Sequence, residues 1–461
     1  MKNSLILFTT LCFFFLLKAS PVSSQVMVGN TQLDTTTIIT GLDIPWEIRY
    51  GIDGWLWVTE RYGRVSRIHP ETGEQIVVLD HTSAVSQQGE SGMLGMALHP
   101  DFPADNRVYI VYTYSDNGIK ERLSSFHYNG ENLTNETVLI EGIAGNSTHD
   151  GSRLLFMPDG KLMMTTGDAQ NQSLPQNPGS LSGKVLRINA DGTIPADNPT
   201  AESYVYSLGH RNAQGLALSA DGTILYSSEH GPDTDDEINI IEANRNYGWP
   251  DVKGFCDTPE EQQFCEEHNV KEPLINWTPT IAPSDIVVYA SNAIPEWQGK
   301  ILLTLLKNKR LLALTLSPDG QSITHQQEYF TNWWGRLRDI AVGPQGEIYL
   351  ATNGQSWSNT QPFTHSIIKL TPQNSSSGQN LRATQKPFSL RSISGNLWLD
   401  AETSLLDSSW HIYDMAGRAV DSGTITARSM KIPFNSVPGI YFFNVNNTNS
   451  GGGAVKFSWR P

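Results

Sequence analysis

Charged residues and cysteines are scarce in this chain. Asp, Glu, Lys and Arg together make up 17% of the 461 residues, and only three cysteines occur. Basic residues are the scarcer kind of charge, because 32 Lys and Arg stand against 47 Asp and Glu, for a formal net charge of −15 at pH 7. Nucleic acids and anionic membranes carry the same sign of charge as such a chain. We therefore expect neither of them as a partner.

Long apolar runs are also scarce, and only the run from Leu5 to Leu17 stands out. It follows Lys2 and precedes a stretch of small residues, which is the arrangement of a secretory signal. The run is too short to cross a membrane as a helix, although a membrane anchor is the alternative interpretation. We predict that residues 1–24 are a signal peptide and that the mature protein is exported without a membrane span.

Cysteine usage agrees with export. Cys12 lies within the predicted signal, which leaves Cys256 and Cys265 in the mature chain. Two cysteines alone make a poor zinc site. In an oxidising compartment the pair is expected to form a disulfide that closes a polar loop.

Glycine and aromatic residues, in contrast, are plentiful: 39 Gly, 12 Trp, 15 Tyr and 16 Phe. Glycine suits tight turns and aromatic side chains suit strands, so this composition is typical of a turn-rich β protein. A turn followed by a short apolar run and a polar residue also recurs six times. The copies are DGWLWVTE (from Asp53), DNRVYIVYTY (Asp105), DGKLMMTTGD (Asp159), DGTILYSSEHG (Asp221), QGKILLTLLK (Gln298) and QGEIYLATNG (Gln345).

The spacing of these copies, 47 to 77 residues, predicts the architecture. Units of this length built from short strands match the four-stranded blades of a β-propeller. A pair of β-sandwiches is the alternative, but it does not account for a recurring unit. We predict an all-β chain whose residues 25–372 form a six-bladed β-propeller.

The third copy contains a candidate acid–base pair. His149 lies in a loop of small polar residues, and Asp168 follows the apolar run Leu162 to Thr166. The Asp159-Gly160 turn between two apolar runs predicts a hairpin, whose strands can bring both residues to one sheet edge. A carboxylate beside an imidazole makes a general base. The alternative is a loop histidine and a turn aspartate that never meet.

Cationic and polar side chains recur at corresponding places in the later copies. Asp168, His230 and Lys307 each lie eight residues beyond the Gly of their copy, and equivalent strands would place them on one face of the propeller. Further candidates are Arg211, Asn212, Arg336 and Arg338. Arginines aimed at one cavity in so acidic a protein indicate a small polyanion as ligand. Separate surface or salt-bridged cations are the alternative.

The loop from Ser228 to Glu237 contains five acidic residues around a Gly-Pro turn. Carboxylate and main-chain carbonyl oxygens are the ligands of hard cations such as Ca²⁺. The spacing is not that of an EF-hand, and a solvated acidic loop is the alternative to a metal site.

Taken together, the motifs from Trp46 to about Leu370 resemble the soluble aldose and glucose dehydrogenases that depend on pyrroloquinoline quinone (PQQ). The resemblance covers about three quarters of the chain. It rests on GMLGMALHPDF (from Gly92), His149 to Arg153, TGD (Thr166), LGHRNAQG (Leu208), EHGP (Glu229), DDEINII (Asp235), NYGWP (Asn246), APS (Ala282) and the Arg-x-Arg-Asp at Arg336.

This resemblance implies oxidation of the anomeric carbon of an aldose to the lactone, with the electrons passed through PQQ to an external acceptor, a quinone or a cytochrome. It implies that His149 is the base and that Asp168 orients it. Residues that match the cofactor-binding positions are Arg211, Asn212, Lys307, Arg336 and Arg338. Residues that match Ca²⁺ ligands are Gly231 and Pro232 at the cofactor, and Glu237 and Tyr247 at a second, structural site.

Two positions depart from the pattern of the glucose-oxidising members. Glu90 stands in place of a glutamine, and Thr148 in place of an aspartate. Both positions contact the sugar in those members, so they leave the particular aldose open. Alternatives of another class are a propeller that binds a protein or glycan without redox chemistry, and a Ca²⁺-dependent lactonase on the same architecture.

The chain changes character after Leu370. Residues 373–387 are predicted to be a polar linker. Residues 388–461 resemble the C-terminal sorting domain of the bacterial type IX secretion system, a small β-sandwich, on segments such as Trp410 to Arg418 and Pro438 to Phe442. This resemblance implies an exported or cell-surface protein whose tail contacts the secretion machinery. A carbohydrate-binding accessory module is the alternative.

Overall fold

The structure is a computed structural model that describes residues 24–355, 365–373, 388–393, 396–401, 403–414, 419–434, 439–446 and 453–459. Residues 1–23 of the predicted signal and 374–387 of the predicted linker lie outside the described residues. The chain divides into two units, residues 1–375 and 376–461. Within the described part, no helix is both long and apolar enough to span a membrane.

Six antiparallel sheets occupy residues 24–372. The N-terminal strands are β1 (Ser24–Val28) and β2 (Thr31–Thr40). Blade 1 contains β3 (Pro45–Tyr50), β4 (Leu56–Glu60), β5 (Arg64–Ile68) and β6 (Gln75–Asp80). Blade 2 contains β7 (Met93–Leu98), β8 (Arg107–Ser115), β9 (Ile119–Tyr128) and β10 (Leu133–Ala144). Blade 3 contains β11 (Leu154–Phe156), β12 (Leu162–Thr165), β13 (Lys184–Ile188) and β14 (Val205–Leu208).

The remaining three blades follow in chain order. Blade 4 contains β15 (Ala213–Leu218), β16 (Leu225–Glu229), β17 (Asp236–Ile240), a helix α1 (Pro259–His268) in a long connection, and β18 (Ile275–Trp277). Blade 5 contains β19 (Pro283–Val288), a short 3-10 helix (Pro295–Trp297), β20 (Ile301–Leu305), β21 (Leu311–Leu316) and β22 (Ile323–Tyr329). Blade 6 contains β23 (Leu337–Val342), β24 (Ile348–Thr352) and β25 (Ser366–Pro372).

The sheets close into a ring. The first strand of each blade contacts the first strand of the next, in the order β3, β7, β11, β15, β19, β23 and back to β3. Blade 6 takes its outer strands from the N-terminus, because its order is β1-β2-β25-β24-β23. The prediction of a six-bladed β-propeller is therefore confirmed, and the six sequence repeats are the turns leading into the second strands β4, β8, β12, β16, β20 and β24.

The second strands explain why the repeats could be seen in the sequence. Every residue of β4, β12, β16, β20 and β24 is buried. Each of these strands has a neighbouring blade on both of its faces, so it carries a continuous apolar run rather than an alternating one. The turn before β12 uses Gly160 at a φ of +79°, a left-handed conformation that glycine adopts without strain.

The centre of the ring is ionic rather than apolar. Arg153 is fully buried. Its Nη1 lies 2.5 Å from Glu47 of blade 1 and 2.7 Å from Asp339 of blade 6, and its Nε lies 3.3 Å from Asp285 of blade 5. The same Nε donates to the carbonyl of Gln214 in blade 4 at 2.8 Å. One side chain from the start of blade 3 thus joins four other blades.

The loop between Cys256 and Cys265 differs in part from the prediction. The disulfide is present. The segment predicted as a polar loop, however, contains helix α1, which includes Cys265. Thr258 and Glu261 form a capping box at its start, and Asn269 ends it in a left-handed conformation. No residue of α1 is buried. The helix lacks an apolar face, so its periodicity could not indicate it in the sequence.

The second unit contains two antiparallel sheets. Its strands are β26 (Phe388–Ile393), β27 (Asn396–Ala401), β28 (Ser409–Asp414), β29 (Ala419–Thr424), β30 (Ser429–Ile432), β31 (Gly439–Asn446) and β32 (Gly453–Trp459), with a 3-10 helix at Thr403–Leu405. The sheet orders are β26-β27-β30 and β29-β28-β31-β32. Both sheets contribute to one core, which includes Phe388, Trp410 and Phe443. The predicted small β-sandwich is confirmed.

We predict that a chain ending at Ser375 folds as a propeller, because β1 and β2 complete blade 6 without the second unit. Its thermal unfolding midpoint should match that of the propeller in the full chain. The matched control ends at Val342 and lacks β24 as well as β25, the strand with which β2 pairs, so it should not unfold cooperatively. Calorimetry measures both. A shorter chain that ends at Ser375 and does not fold would contradict the prediction.

Candidate active site

The loops that carry the predicted catalytic and cofactor-binding residues leave the blades at one end of the ring. Neighbouring strands are antiparallel, so connections from a second to a third strand emerge beside connections from one blade to the next. Asp168, His230 and Lys307 lie on connections of the first kind, and His149 and Arg211 on connections of the second kind. The prediction that they share a face follows from this geometry.

His149 and Asp168 are in contact. The imidazole Nδ1 lies 2.8 Å from Asp168 Oδ1. His149 has a φ of +64°, an uncommon conformation for a residue with a side chain. Its carbonyl lies so close to Gly167 that a Cβ there would approach the oxygen to 1.8 Å. The Thr-Gly-Asp turn therefore needs glycine, because only glycine lets the histidine loop pack directly on it.

Asp168 is held ionised by its neighbours. The side chain is 1% exposed, and burial alone would raise its pKa. Hydrogen bonds from His149, from the Gln170 backbone at 2.8 Å and from the Trp249 indole at 2.9 Å outweigh burial and lower the pKa. A carboxylate that stays ionised can fix the orientation of the imidazole at every physiological pH.

Arg211 determines which tautomer His149 adopts. Its Nη2 lies 3.2 Å from His149 Nε2, and its Nη1 donates to the His230 carbonyl at 3.1 Å. A guanidinium can only donate, so Nε2 is the acceptor and the proton of the neutral ring is on Nδ1. That proton points to Asp168. The histidine thus presents a free-base nitrogen on the side away from the aspartate.

His149 lines an open cavity of about 210 Å³. The cavity is lined by Glu90, Thr148, His149, Arg211, Asn212, His230, Gly231, Pro232, Asp236, Thr280 and Ala282. Glu90 and Thr148 therefore lie at the same cavity as the histidine. The two loops that carry them are joined, because the Glu90 backbone donates to the Ser147 carbonyl at 2.7 Å.

The cavity continues into a second group of cations. Glu90 also lines a neighbouring cavity together with Ile44, Arg61, Arg336, Arg338, Asn353 and His365. Arg336 and Arg338 therefore converge as the sequence predicted. Burial lowers the pKa of Arg61, Arg211 and Arg336, and lowers that of Arg338 to about 9. Buried guanidinium groups with depressed pKa values are stabilised by an anion.

Lys307 is the outlying member of the predicted cation set. It does not line either cavity, but its Nζ donates to Thr280 Oγ1 at 2.6 Å, and Thr280 lines the His149 cavity. The Thr280 side chain therefore lies between Lys307 and the cavity.

Unpartnered nitrogens show that these cavities fit an anionic ligand. Among the described residues that line these two cavities, five buried nitrogens have no hydrogen-bond partner: Arg61 Nε, Arg211 Nε, Asn212 Nδ2, His230 Nε2 and Arg336 Nε. An unpartnered buried donor costs roughly 1–3 kcal/mol, which a ligand rich in acceptor oxygens would recover. A planar quinone with three carboxylates has this chemistry.

The predicted metal positions lie side by side. Gly231 and Pro232 line the His149 cavity and also a smaller one, which Glu237 and Tyr247 share. No group of three or more His, Cys, Asp or Glu side chains among the described residues is arranged to hold a metal ion. A Ca²⁺ site here needs main-chain carbonyl oxygens, which is the donor type that the sequence predicted and that Ca²⁺ accepts.

Several lining residues were not found from the sequence. Arg61 directly follows β4, the second strand of blade 1. The position eight residues beyond the repeat's Gly54 is Tyr62, so the repeat pattern misses Arg61 by one residue. Trp249 lies in the long β17–β18 connection, and its role depends on a hydrogen bond to Asp168 across 81 residues. No local pattern signals such a contact. His365 lies outside all six sequence repeats.

The fold and the cavity define a six-bladed propeller with an acid–base pair beside a buried cation cluster. Residues 42–358 match the glucose/sorbosone dehydrogenase family, and the chain belongs to this family.

Individual relatives agree with this assignment. The aldose sugar dehydrogenase YliI of Escherichia coli is 28% identical over 380 residues, covering 78% of this chain and 99% of the relative. The quinoprotein glucose dehydrogenase B of Acinetobacter calcoaceticus is 28% identical over 439 residues, covering 74% and 91%. The PQQ-bound aldose sugar dehydrogenase structure from Streptomyces coelicolor superposes with a TM-score of 0.65 at 30% identity, covering 77% and 99%. These similarities support an oxidoreductase that acts on sugars.

We predict that Trp249→Phe lowers kcat for sugar oxidation roughly tenfold, because Asp168 loses a charge-assisted hydrogen bond while the aromatic ring under Arg211 remains. The matched control is Trp277→Phe, which removes an indole hydrogen bond to Gln326 in a residue that lines neither cavity. Steady-state kinetics measure both variants. Equal kcat values for the two variants would contradict a role of Trp249 at the site.

Proposed function

We propose that the protein is a PQQ- and Ca²⁺-dependent aldose dehydrogenase that oxidises the anomeric carbon of a sugar to the lactone. The observation that carries this proposal is the His149–Asp168 pair at a cavity whose other wall holds buried, unpartnered arginine nitrogens. Neither lactone hydrolysis nor binding of a neutral glycan requires such a cation cluster, whereas a tricarboxylate cofactor does.

His149 is the base in this proposal. Its Nδ1 proton is committed to Asp168. Its Nε2 lone pair accepts from Arg211 in this structure, and it can take the proton from the anomeric hydroxyl when that guanidinium turns to a carboxylate of the cofactor. Asp168 stabilises the imidazolium that results, since its carboxylate remains ionised. Arg211 opposes that positive charge until an anion neutralises the guanidinium. Proton transfer is therefore favoured when the cation cluster is occupied.

The cation cluster holds the cofactor in this proposal. Arg211, Arg336 and Arg338 offer guanidinium forks to carboxylates, Asn212 offers its amide, and Lys307 offers an ammonium group beside Thr280. PQQ, when bound, supplies the acceptor for the anomeric hydride, and the electrons then pass to an external quinone or cytochrome. Burial of the cluster strengthens each charge interaction, because little water competes there.

Ca²⁺ has two proposed places. The carbonyls of Gly231 and Pro232 would hold the ion that accompanies the cofactor, and Glu237 with the Tyr247 carbonyl would hold a structural ion. Asp236 Oδ1 accepts from the Gly231 backbone at 2.8 Å, and Glu237 Oε1 accepts from the Gly254 backbone at 2.9 Å. These bonds fix the loop so that its oxygen atoms can bind a hard cation.

Substrate choice rests on Glu90 and Thr148 in this proposal, since both line the cavity at His149. The Thr148 hydroxyl accepts from the Gln170 amide, so the position is held in place rather than free to rotate. A carboxylate and a hydroxyl offer hydrogen bonds to sugar hydroxyls.

Export is the last part of the proposal. The predicted N-terminal secretory signal, a disulfide between Cys256 and Cys265 and a C-terminal β-sandwich support passage to the cell exterior, with the second unit as a type IX secretion signal. Expression with and without residues 376–461, followed by fractionation, tests this part independently of the chemistry.

We predict that His149→Ala lowers kcat by about 10²–10⁴-fold while PQQ still binds, because the cation cluster is intact. Arg336→Ala should do the opposite, weakening PQQ binding with a smaller effect on kcat at saturating PQQ. Asp168→Asn should cost less than His149→Ala, since the base is misoriented but present. The measurement is kcat with bound PQQ confirmed by absorbance. Wild-type turnover by quinone-loaded His149→Ala would refute the mechanism.

We predict that a chelator removes PQQ together with Ca²⁺, because the Gly231 and Pro232 carbonyls bind the cofactor only through the ion. Absorbance of the retained quinone and metal content are measured before and after treatment, and Ca²⁺ should restore both quinone binding and activity. Full quinone retention in protein shown to be free of Ca²⁺ would contradict the proposed metal site.

A further inference from the structure

A buried carboxylate between blades 2 and 3 has no partner. Glu121 lies on β9 and is 0% exposed, and neither of its carboxylate oxygens has a hydrogen-bond partner among the described residues. Residues two apart on a strand share a face, so Glu121 lies on the same side of β9 as Leu123, which packs in a core that both blades form. A buried charge without a partner is strongly unfavourable, so a proton or a cation must neutralise Glu121.

Asp150 supplies a second carboxylate of the same kind. The residue is 4% exposed, its Oδ1 accepts from the Asn146 backbone at 2.9 Å, and its Oδ2 has no partner within the described chain. A Cβ added to Gly145 would lie 3.2 Å from Asp150 Oδ1 and 3.4 Å from the Lys120 carbonyl carbon, which is bonded to the Glu121 nitrogen. Asp150 and Glu121 therefore lie close together, beside the same glycine.

The charges around this pair are negative. Burial and the charge of Asp150 raise the pKa of Glu121 well above its ordinary value. Burial raises the pKa of Asp150 to about 7, and the Glu90 carboxylate acts in the same direction, against a hydrogen bond from the Asn146 backbone. No cationic side chain of the described residues contributes to either pKa. A positive charge from outside the described chain would therefore stabilise both carboxylates.

The donor atoms favour a hard divalent cation. Three buried oxygens are unpartnered among the described residues, namely Glu121 Oε1 and Oε2 and Asp150 Oδ2. Two ionised carboxylates are balanced by one divalent ion, and oxygen ligands alone favour Ca²⁺ or Mg²⁺ over zinc. Mg²⁺ usually keeps several of its waters, for which two packed blades leave little room. Ca²⁺ accepts carboxylate and main-chain oxygens in a flexible geometry, so it is the better match.

We propose that Glu121 and Asp150 bind one Ca²⁺ between blades 2 and 3. Glu121 contributes both carboxylate oxygens, Asp150 contributes Oδ2, and main-chain oxygens complete the coordination. The ligands come from β9 and from the β10–β11 connection, whereas the other two proposed Ca²⁺ positions lie in blade 4. The site is therefore a third one, and it needs neither PQQ nor a sugar.

An ion at this place would fix the loop that carries His149. Asp150 directly follows His149 in the chain. Asn146, whose backbone donates to Asp150, also donates through its side chain to the Ala169 carbonyl at 3.0 Å. Ca²⁺ would thereby join β9 to both loops of the acid–base pair. The two carboxylates are positioning residues in this arrangement, and only their effect on turnover rests on the proposed function.

The test measures bound Ca²⁺ by plasma mass spectrometry and the thermal unfolding midpoint in excess Ca²⁺, both on the full chain before PQQ is added. Glu121→Gln keeps the shape of the side chain but removes its charge and one ligand oxygen. It should bind one Ca²⁺ fewer per chain than wild type, and its midpoint should be lower by roughly 5 °C, because only wild type is stabilised by this ion. The matched control is Glu141→Gln in β10 of the same blade, whose carboxylate is 61% exposed, and it should change neither quantity.

Asp150→Asn is a second variant, because it preserves the oxygen that accepts from Asn146 and should lose the same ion. Unchanged Ca²⁺ content together with an equal or higher midpoint in Glu121→Gln would overturn the site, and the two carboxylates would then share a proton. Should neither variant fold, Glu237→Gln decides, since without PQQ it keeps bound Ca²⁺ only if the site of Glu121 and Asp150 exists. None of these results depends on sugar oxidation, so the site and the proposed function can fail separately.

Discussion

The arrangement of the propeller depends on the ionic contact of Arg153 with Glu47, Asp285 and Asp339 at the centre of the ring. Burial alone would lower the pKa of this guanidinium, and the three carboxylates raise it instead. Burial raises the pKa of Glu47 and Asp339 against the opposing pull of Arg153. Each charge is tolerable only in the presence of the others. The inner strands of blades 1, 5 and 6 are therefore held to one side chain of blade 3.

The same contact connects the fold to the candidate active site. Arg153 lies four residues after His149 and donates to the Gln214 carbonyl, while the Gln214 side chain accepts from Arg338 Nη1 at 2.5 Å. Trp46 lies beneath both guanidinium groups, 4.4 Å from Arg153 and 5.7 Å from Arg338. His149 and the cation cluster thus rest on a shared, buried support. Such support keeps catalytic groups in place without help from a ligand.

The site is defined by where the charged residues lie and not by the net charge of the chain. The chain as a whole is acidic, with a net charge of −15, yet Arg61, Arg211, Arg336 and Arg338 converge at one end of the channel. Burying four guanidinium groups together removes water from their charges, which is unfavourable, and this loss lowers their pKa values. A bound anion would offset this loss of solvation, so such a cluster is typical of a functional site. The unpartnered nitrogens among these residues have the same explanation.

The sequence by itself determined the propeller, the number of blades and the face on which the site lies. Second strands are buried between neighbouring blades, so their apolar runs and turns recur visibly, and local chain direction then orients every loop. Tertiary structure alone decided the contacts that join blades: Trp249 with Asp168, Arg211 with His149, and Arg153 with three carboxylates. It also revealed α1, whose exposed residues carry no apolar period. These features depend on side chains far apart in sequence meeting in a dry interior, which no local pattern encodes.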